Sequence, residues 1–206
     1  MSESTRILAI RHGQTAWNAG GRIQGHQDIG LDDTGLWQAE RLAEALQGET
    51  LHALYSSDLL RARQTAQPLQ RLSAEPLCLD AGLRERSFGN LEGLTFAEIE
   101  LRWPQEAARW RKRDADFAPG GGETLTSFYA RCVATAARLA AAHAGQTIAL
   151  VAHGGVLDML YRAAARLELS APRSWELGNA SVNRLLYSPE GFSIVGWNDR
   201  MHLDNV

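Results

Sequence analysis

Cysteine is scarce. Cys78 and Cys132 lie far apart in 206 residues with no CxxC spacing, which gives no support for a disulfide framework and predicts a reducing, cytoplasmic setting. The opening MSESTR lacks the long apolar segment of a secretory signal, and no apolar run is long enough to span a bilayer; a soluble chain with no membrane partner is expected. A cationic excess is missing too. With a formal net charge of -3 there is no general positive field for nucleic acid or anionic lipid, so any anion must be caught by a local arrangement of side chains. No HxH or HExxH grouping joins the histidines: His26 and Asp28 in GHQD make at most a pair, and His52, His143 and His202 stand apart, so chemistry without a metal is expected. There is no internal repeat and no low-complexity tract.

What is present suits one globular domain with a modest insertion. A content of 45% hydrophobic and 22% charged residues supplies a core and excludes disorder. RILAI (6–10) has strand length and runs into a polar, glycine-rich loop from Gly13 to Gly30. Leu36, Ala39, Ala43 and Leu46 recur at helical spacing after Asp33 and Thr34, and Gly48 marks the stop. ALY (53–55) reads as a second strand, and the segment from Ser57 to Leu72 as a helix opened by Ser57 or Asp58 and disturbed by Pro68. A third strand is expected near Pro76 to Leu79.

From Arg84 to Gly122 the pattern loosens into a short helix at Thr95–Arg102, Pro104, a basic WRKR run and the turn PGGG, which marks a cap or insertion at about 84–122. An amphipathic stripe from Leu125 to Ala140, closed by Gly145, predicts a long helix, with Glu123 at its opening. TIALVA (147–152) is apolar enough to be buried on both faces and leads into a helix over VLDMLYRAAARL; NRLLYS and FSIVGW pair around Pro189–Gly191. The alternation predicts an α/β three-layer sandwich, with a largely parallel central sheet, helices on both faces and an antiparallel edge. That edge, if exposed, leaves monomer and homodimer both open.

Strand C-termini share one edge in a parallel α/β sheet, and binding crevices form outside it. RILAI and TIALVA each end in a histidine, so His12 and His153 are placed to meet across such a crevice, with Arg11 beside the first. Arg61 falls in the first turn of the helix after ALY, where a cation opposes the helix dipole at a cost of a few tenths of a kcal/mol, up to about 1. A phosphoryl group explains all of these positions: guanidinium forks grip its oxygens, helix N-termini donate N–H groups, and Gly13 and Gly154 allow a close backbone approach. Taken singly, each reads better as a surface-loop histidine or as an arginine in a solvated pair with Asp or Glu; it is their joint placement at three strand ends that favours the phosphoryl group.

The ordered set RHGQTAWN, SSDLLRARQTA, LRERSFGNLEG, PGGGETL and VAHGG resembles the histidine phosphatase superfamily, which includes the cofactor-dependent phosphoglycerate mutases. The resemblance spans Arg11 to beyond Gly155. It implies that His12 is a nucleophile that becomes transiently phosphorylated, that Arg11, Arg61 and His153 hold the phosphoryl group, and that Glu85 donates a proton to the leaving oxygen. Asn18, Gln24 and Gly154 are expected around the same phosphate, and Arg86, Trp110, Arg111 and Lys112 around the rest of a small phosphorylated metabolite. Without the resemblance, Glu85 would read as a surface ion pair with Arg84 or Arg86.

RIQG, with Gln24 where mutases carry threonine or serine, resembles the phosphatase branch, as does PGGGETL. The expected activity is therefore phosphoric monoester hydrolysis through a phosphohistidine, with neither metal nor organic cofactor. The alternative is a phosphoglycerate mutase primed by 2,3-bisphosphoglycerate, for which Arg86, Arg111 and Lys112 would serve a substrate carboxylate. A phospho-ligand binding module without turnover is disfavoured by the presence of both His12 and Glu85.

Overall fold

The structure, a computed structural model, describes residues 3–204; Met1 and Ser2 of the opening segment lie outside the described residues. Six strands form one sheet: β1 (Thr5–Arg11), β2 (Ala53–Ser56), β3 (Cys78–Leu79), β4 (Thr147–Ala152), β5 (Val182–Ser188) and β6 (Gly191–Asp199). Their order is β3-β2-β4-β1-β5-β6. Pairings among β1 to β4 are parallel, and β5 and β6 add an antiparallel edge. The expected third strand is only two residues long.

Alternation along the central strands divides the core in two. Ile7, Ala9, Ile148, Leu150 and Ala152 face helices α6 (Leu125–Ala141) and α7 (Gly154–Ala165), joining Phe128, Cys132, Leu157 and Leu160. Leu8, Ile10, Ala149 and Val151 face α2 (Asp33–Ala45), which follows the single turn α1 (Ala16–Ala19), and α3 (Leu60–Ala66), joining Leu42, Ala43, Ala62 and Ala66. Every residue of β4 is buried, as a strand covered by helices on both sides requires. Among the described residues, no helix is long and apolar enough to cross a membrane.

Several local expectations shift. Asp32, one residue earlier than expected, caps α2 by accepting from the Gly35 N–H at 2.8 Å, and Leu36 is 46% exposed because the buried face instead runs through Gly35, Gln38, Ala39, Leu42 and Ala43. Neither Ser57 nor Asp58 caps α3: its first N–H, on Leu60, donates to Asp28 at 2.5 Å, while Asp58 pairs with Arg84. Pro68 turns the chain from α3 into a 3-10 turn over Gln67–Leu72. Glu123 stands before α6, whose cap is Thr124.

Residues 84–122 hold two helices. Alongside α4 (Phe96–Arg102), entered through a Thr95/Glu98 capping box, there is α5 (Pro104–Arg111). Pro104 opens this second helix, at the first position, where its missing N–H costs nothing. The segment closes around its own apolar cluster of Leu91, Ile99 and Ala107 with Phe88, Trp103 and Trp110. Arg113 ties it to the main core by pairing with Asp158 of α7 at 2.9 Å.

Candidate active site

Parallel register does the first part of the assembly. Arg11 sits opposite Ala152, so the residues that follow, His12 and His153, lie side by side, with ring centroids 5.2 Å apart. The chain leaves β1 toward the α2 face and β4 toward the α7 face, which opens a crevice between the two strand ends. β2 ends beside them: the Ser57 N–H donates to Val151 at 2.9 Å, and the Ser57 hydroxyl lies 2.9 Å from His153 Nε2.

Around this point a cavity of about 170 Å³ is lined by Arg11, His12, Asn18, Gln24, Arg61 and Glu85, with Arg22, Ile23, Gly25 and Phe88 completing its wall. This is below the roughly 300–1,000 Å³ of pockets that take drug-sized ligands. His12 Nδ1 lies 2.7 Å from the Gly13 carbonyl; a carbonyl only accepts, so Nδ1 carries the proton and the neutral ring keeps its lone pair on Nε2. Burial first, then the charges of Arg61 and Arg11, holds His12 well below the usual histidine value. Burial, Arg61, His12 and Arg11 do the same to His153. Both imidazoles are therefore neutral at pH 7.

The arginines are held from behind. Arg61, fully buried, donates to the carbonyls of Gln27 and Gly25, each at 2.8 Å, and Arg11 donates through Nη1 to the Leu177 carbonyl. Burial pushes Arg11 down to about 10, which leaves it a cation at neutral pH. Arg11 Nε, Arg61 Nε and His153 Nδ1 are buried without a hydrogen-bond partner. Unpaired buried groups of this kind carry a desolvation cost of about 1–3 kcal/mol each, more for cations. Arg11 and Arg61 line the cavity, where an anion with several oxygens would offer them acceptors, whereas His153 stands beside His12 and is not among the lining residues.

Asn18 and Gln24 reach the cavity with their amide oxygens already engaged. Asn18 Oδ1 accepts from the Thr15 N–H at 3.1 Å and from Asn179 at 3.2 Å, and Gln24 Oε1 accepts from the Thr15 hydroxyl at 3.0 Å. Their NH₂ groups are thus the ends left to serve a ligand. Asn179, which also donates to the His12 carbonyl at 3.0 Å, escapes sequence reasoning: it lies 167 residues from His12 and belongs to no motif.

Glu85 makes no ion pair with its neighbours. Arg84 is taken by Asp58, and Arg86 is buried with its donors on the carbonyls of Glu123 and Phe117 at 2.9 and 2.8 Å. The Glu85 carboxylate instead accepts from the Gly155 N–H at 3.0 Å and the Arg86 N–H at 2.9 Å. A Cβ on residue 155 would stand 2.1 Å from Glu85 Oε1, so the second glycine of VAHGG, rather than the first, makes room for this side chain. A Cβ on residue 154 would stand in ordinary contact with Arg11 Nε, at 3.4 Å. Gly13 faces away from the cavity: a Cβ there would meet the Gly35 carbonyl at 2.6 Å, so its role is the close packing of the loop on α2.

The four residues expected at the far side of the pocket do not line it. Arg86 serves backbone carbonyls, Trp110 stacks behind Phe88 with ring centroids 4.9 Å apart, Arg111 pairs with Glu100 and lies over Phe96, and Lys112 is exposed at the end of α5. The helix ends at Arg111, and Arg113, past the Lys112 cap with a φ of 52°, is the basic residue of the WRKR run that turns inward, donating to Asp158 and the Leu169 carbonyl. His26 and Asp28 are likewise employed structurally, the first against the Glu85 carbonyl at 2.9 Å and the second at the start of α3.

The chain is similar in sequence and fold to known proteins. Phosphoglycerate mutase-like protein 4 of Arabidopsis thaliana is 39% identical over 97% of this chain and 87% of its own. The metal-independent phosphoserine phosphatase of the same plant is 36% identical over 100% and 86%, respectively. The structure of a mycobacterial glucosyl-3-phosphoglycerate phosphatase, solved with VO3, superposes with a TM-score of 0.84 at 34% identity, covering 95% of this chain and 99% of that one. The family model described as histidine phosphatase superfamily (branch 1) matches residues 7–200, and the chain belongs to that family.

Proposed function

We propose that the protein is a phosphomonoesterase that works through a phosphohistidine at His12, without a metal. The observation that carries this reading is the set of unpartnered polar atoms on Arg11, Arg61 and His153 around a neutral imidazole. In the first step the His12 Nε2 lone pair forms a bond to phosphorus while the ester P–O bond breaks. The departing oxygen keeps that electron pair and takes a proton from Glu85. In the second step water attacks phosphorus, Glu85 accepts its proton, and the P–N bond returns its electrons to His12. Arg11, Arg61, His153 and the amides of Asn18 and Gln24 balance the charge on the transferring oxygens, where phosphoryl-transfer enzymes gain most of their rate.

The small cavity favours a small phosphorylated metabolite, and relatives named for phosphoserine and glucosyl-3-phosphoglycerate hydrolysis support hydrolysis over transfer. A relative named as metal-independent supports the absence of a metal. A cytoplasmic setting accords with one exposed and one buried free cysteine. The mutase reading needs basic groups for a substrate carboxylate, and Arg86, Arg111 and Lys112 are turned to other partners or to solvent.

A panel of phosphomonoesters, including 3-phosphoglycerate with and without 2,3-bisphosphoglycerate, tests the reading when free phosphate and isomer are measured separately and each assay is repeated with EDTA. Phosphate release indifferent to EDTA is expected. Rapid isomerisation with little phosphate would establish the mutase, and activity lost to EDTA and regained with a metal would defeat the metal-free reading.

A further inference from the structure

Glu85 sits on an irregular stretch between two 3-10 turns, Ala81–Leu83 and Gly89–Leu91, yet its work requires an oxygen placed to within a fraction of an ångström. One guanidinium on α6 takes hold of that stretch. Arg131 donates from Nη1 to the carbonyls of Gly82 and Arg84, each at 2.9 Å, and from Nη2 to the carbonyl of Glu85 at 3.2 Å. The same guanidinium is gripped in bidentate fashion by Glu123, with Nε to Oε1 at 2.8 Å and Nη2 to Oε2 at 2.7 Å. Glu123 Oε2 closes the circuit by accepting the Ser87 N–H at 2.9 Å. Four backbone groups between residues 82 and 87 are thus bound to one ion pair, and Arg131 lies over the Phe128 ring at 5.0 Å, which fixes its plane. Phe128 is also the neighbour of the Gly155 position, 3.1 Å from a Cβ placed there.

We propose that the Glu123–Arg131 pair is a positioning device for Glu85: it holds the backbone of residues 82–87 so that the carboxylate, received by the Gly155 N–H, meets the leaving oxygen of the substrate. The inference rests on the reading of Glu85 as proton donor. Neither residue lines the cavity, so their effect on turnover passes through Glu85. An ion pair of ordinary structural kind would need neither three carbonyls on one guanidinium nor a backbone N–H on its carboxylate. Although burial opposes it, donation from Arg131 and Ser87 holds the Glu123 carboxyl below its usual range, which keeps the pair charged across the working pH.

The test compares wild type, R131M, R131K, E123Q and E85Q on esters whose leaving groups range from p-nitrophenolate to an alkoxide, with kcat, KM and Tm measured for each. R131M is expected to lose about 10–100-fold in kcat on the alkyl ester, up to the cost of a 1 Å misplacement, and less than about threefold on p-nitrophenyl phosphate, with KM little changed. R131K should remain impaired, because one ammonium does not reproduce a planar fork. E123Q leaves the guanidinium in place and is expected to show a smaller loss in the same direction, which keeps the test decisive if R131M folds poorly. Equal losses on all esters, or none, in a folded R131M or E123Q while E85Q discriminates between leaving groups would overturn the proposal alone. If E85Q itself treats all leaving groups alike, the proton-donor reading falls and the proposal with it.

Discussion

Replacing Gly155 with alanine isolates the seat of the proposed proton donor with a single methyl group. The new Cβ would lie 2.1 Å from Glu85 Oε1, where ordinary contact begins at 3.4 Å, so the oxygen must retreat by the difference, about 1.3 Å. The Phe128 ring, 3.1 Å from the same Cβ, closes the other direction. A misplacement of that size costs about 100-fold in rate, near 2.7 kcal/mol of barrier, against about 10²–10⁴ for the whole of general acid catalysis. Stability moves far less, because the clash falls on the far end of a flexible side chain and alanine suits a helix better than glycine. With kcat measured on an alkyl phosphomonoester and on p-nitrophenyl phosphate, G155A should lose about 100-fold on the first and within about fivefold on the second, at a Tm close to wild type. Unchanged alkyl turnover, or equal losses on both esters, would refute the reasoning.

Acid stability and the Asp158 cluster offer two further tests. His12 and His153 are held neutral when folded but take up protons near pH 6.5 when unfolded, so the stability tied to them is complete above that pH and is lost below it. At pH 5.5, one unit below the unfolded value, the cost is on the order of 1 kcal/mol for each, and chemical denaturation of an H12N/H153N double variant should show a smaller acid-side loss than wild type; parallel curves would contradict it. Asp158, 4% exposed, pairs with Arg162 and Arg113, so D158A leaves buried cations uncompensated and should destabilise by about 3–5 kcal/mol. A change below about 1 kcal/mol in denaturant titration would show that the pair is not what ties residues 84–122 to α7.

The strands and the residues at their ends were legible because both follow local rules. RILAI and TIALVA are short, apolar on both faces and followed at once by His12 and His153, so strand and crevice came from the same pattern. Arg61 was visible through its misfit with the helix dipole. The carbonyls of Gln27 and Gly25 that receive its guanidinium lie 34 and 36 residues away, at a distance no local pattern reports. The segment from 84 to 122 was opaque for a related reason: its helices bury a separate small cluster, and α5 has few apolar positions to announce it. Arg111 and Lys112 looked like substrate ligands because adjacent cations in a sequence carry no record of the direction in which each points. Gly155 and Arg131 were invisible as parts of the site, since one acts through a hydrogen atom it leaves room for and the other through backbone carbonyls.

Rapid mixing of the protein with a ³²P-labelled phosphomonoester, quenched within a turnover, tests the covalent role of His12 most directly. The reading predicts label on the protein that is stable to alkali, released by acid, located at residue 12 and lost in a folded H12A variant together with turnover. Turnover by H12A near the wild-type rate, or a competent enzyme that never retains label under any quench, would contradict it.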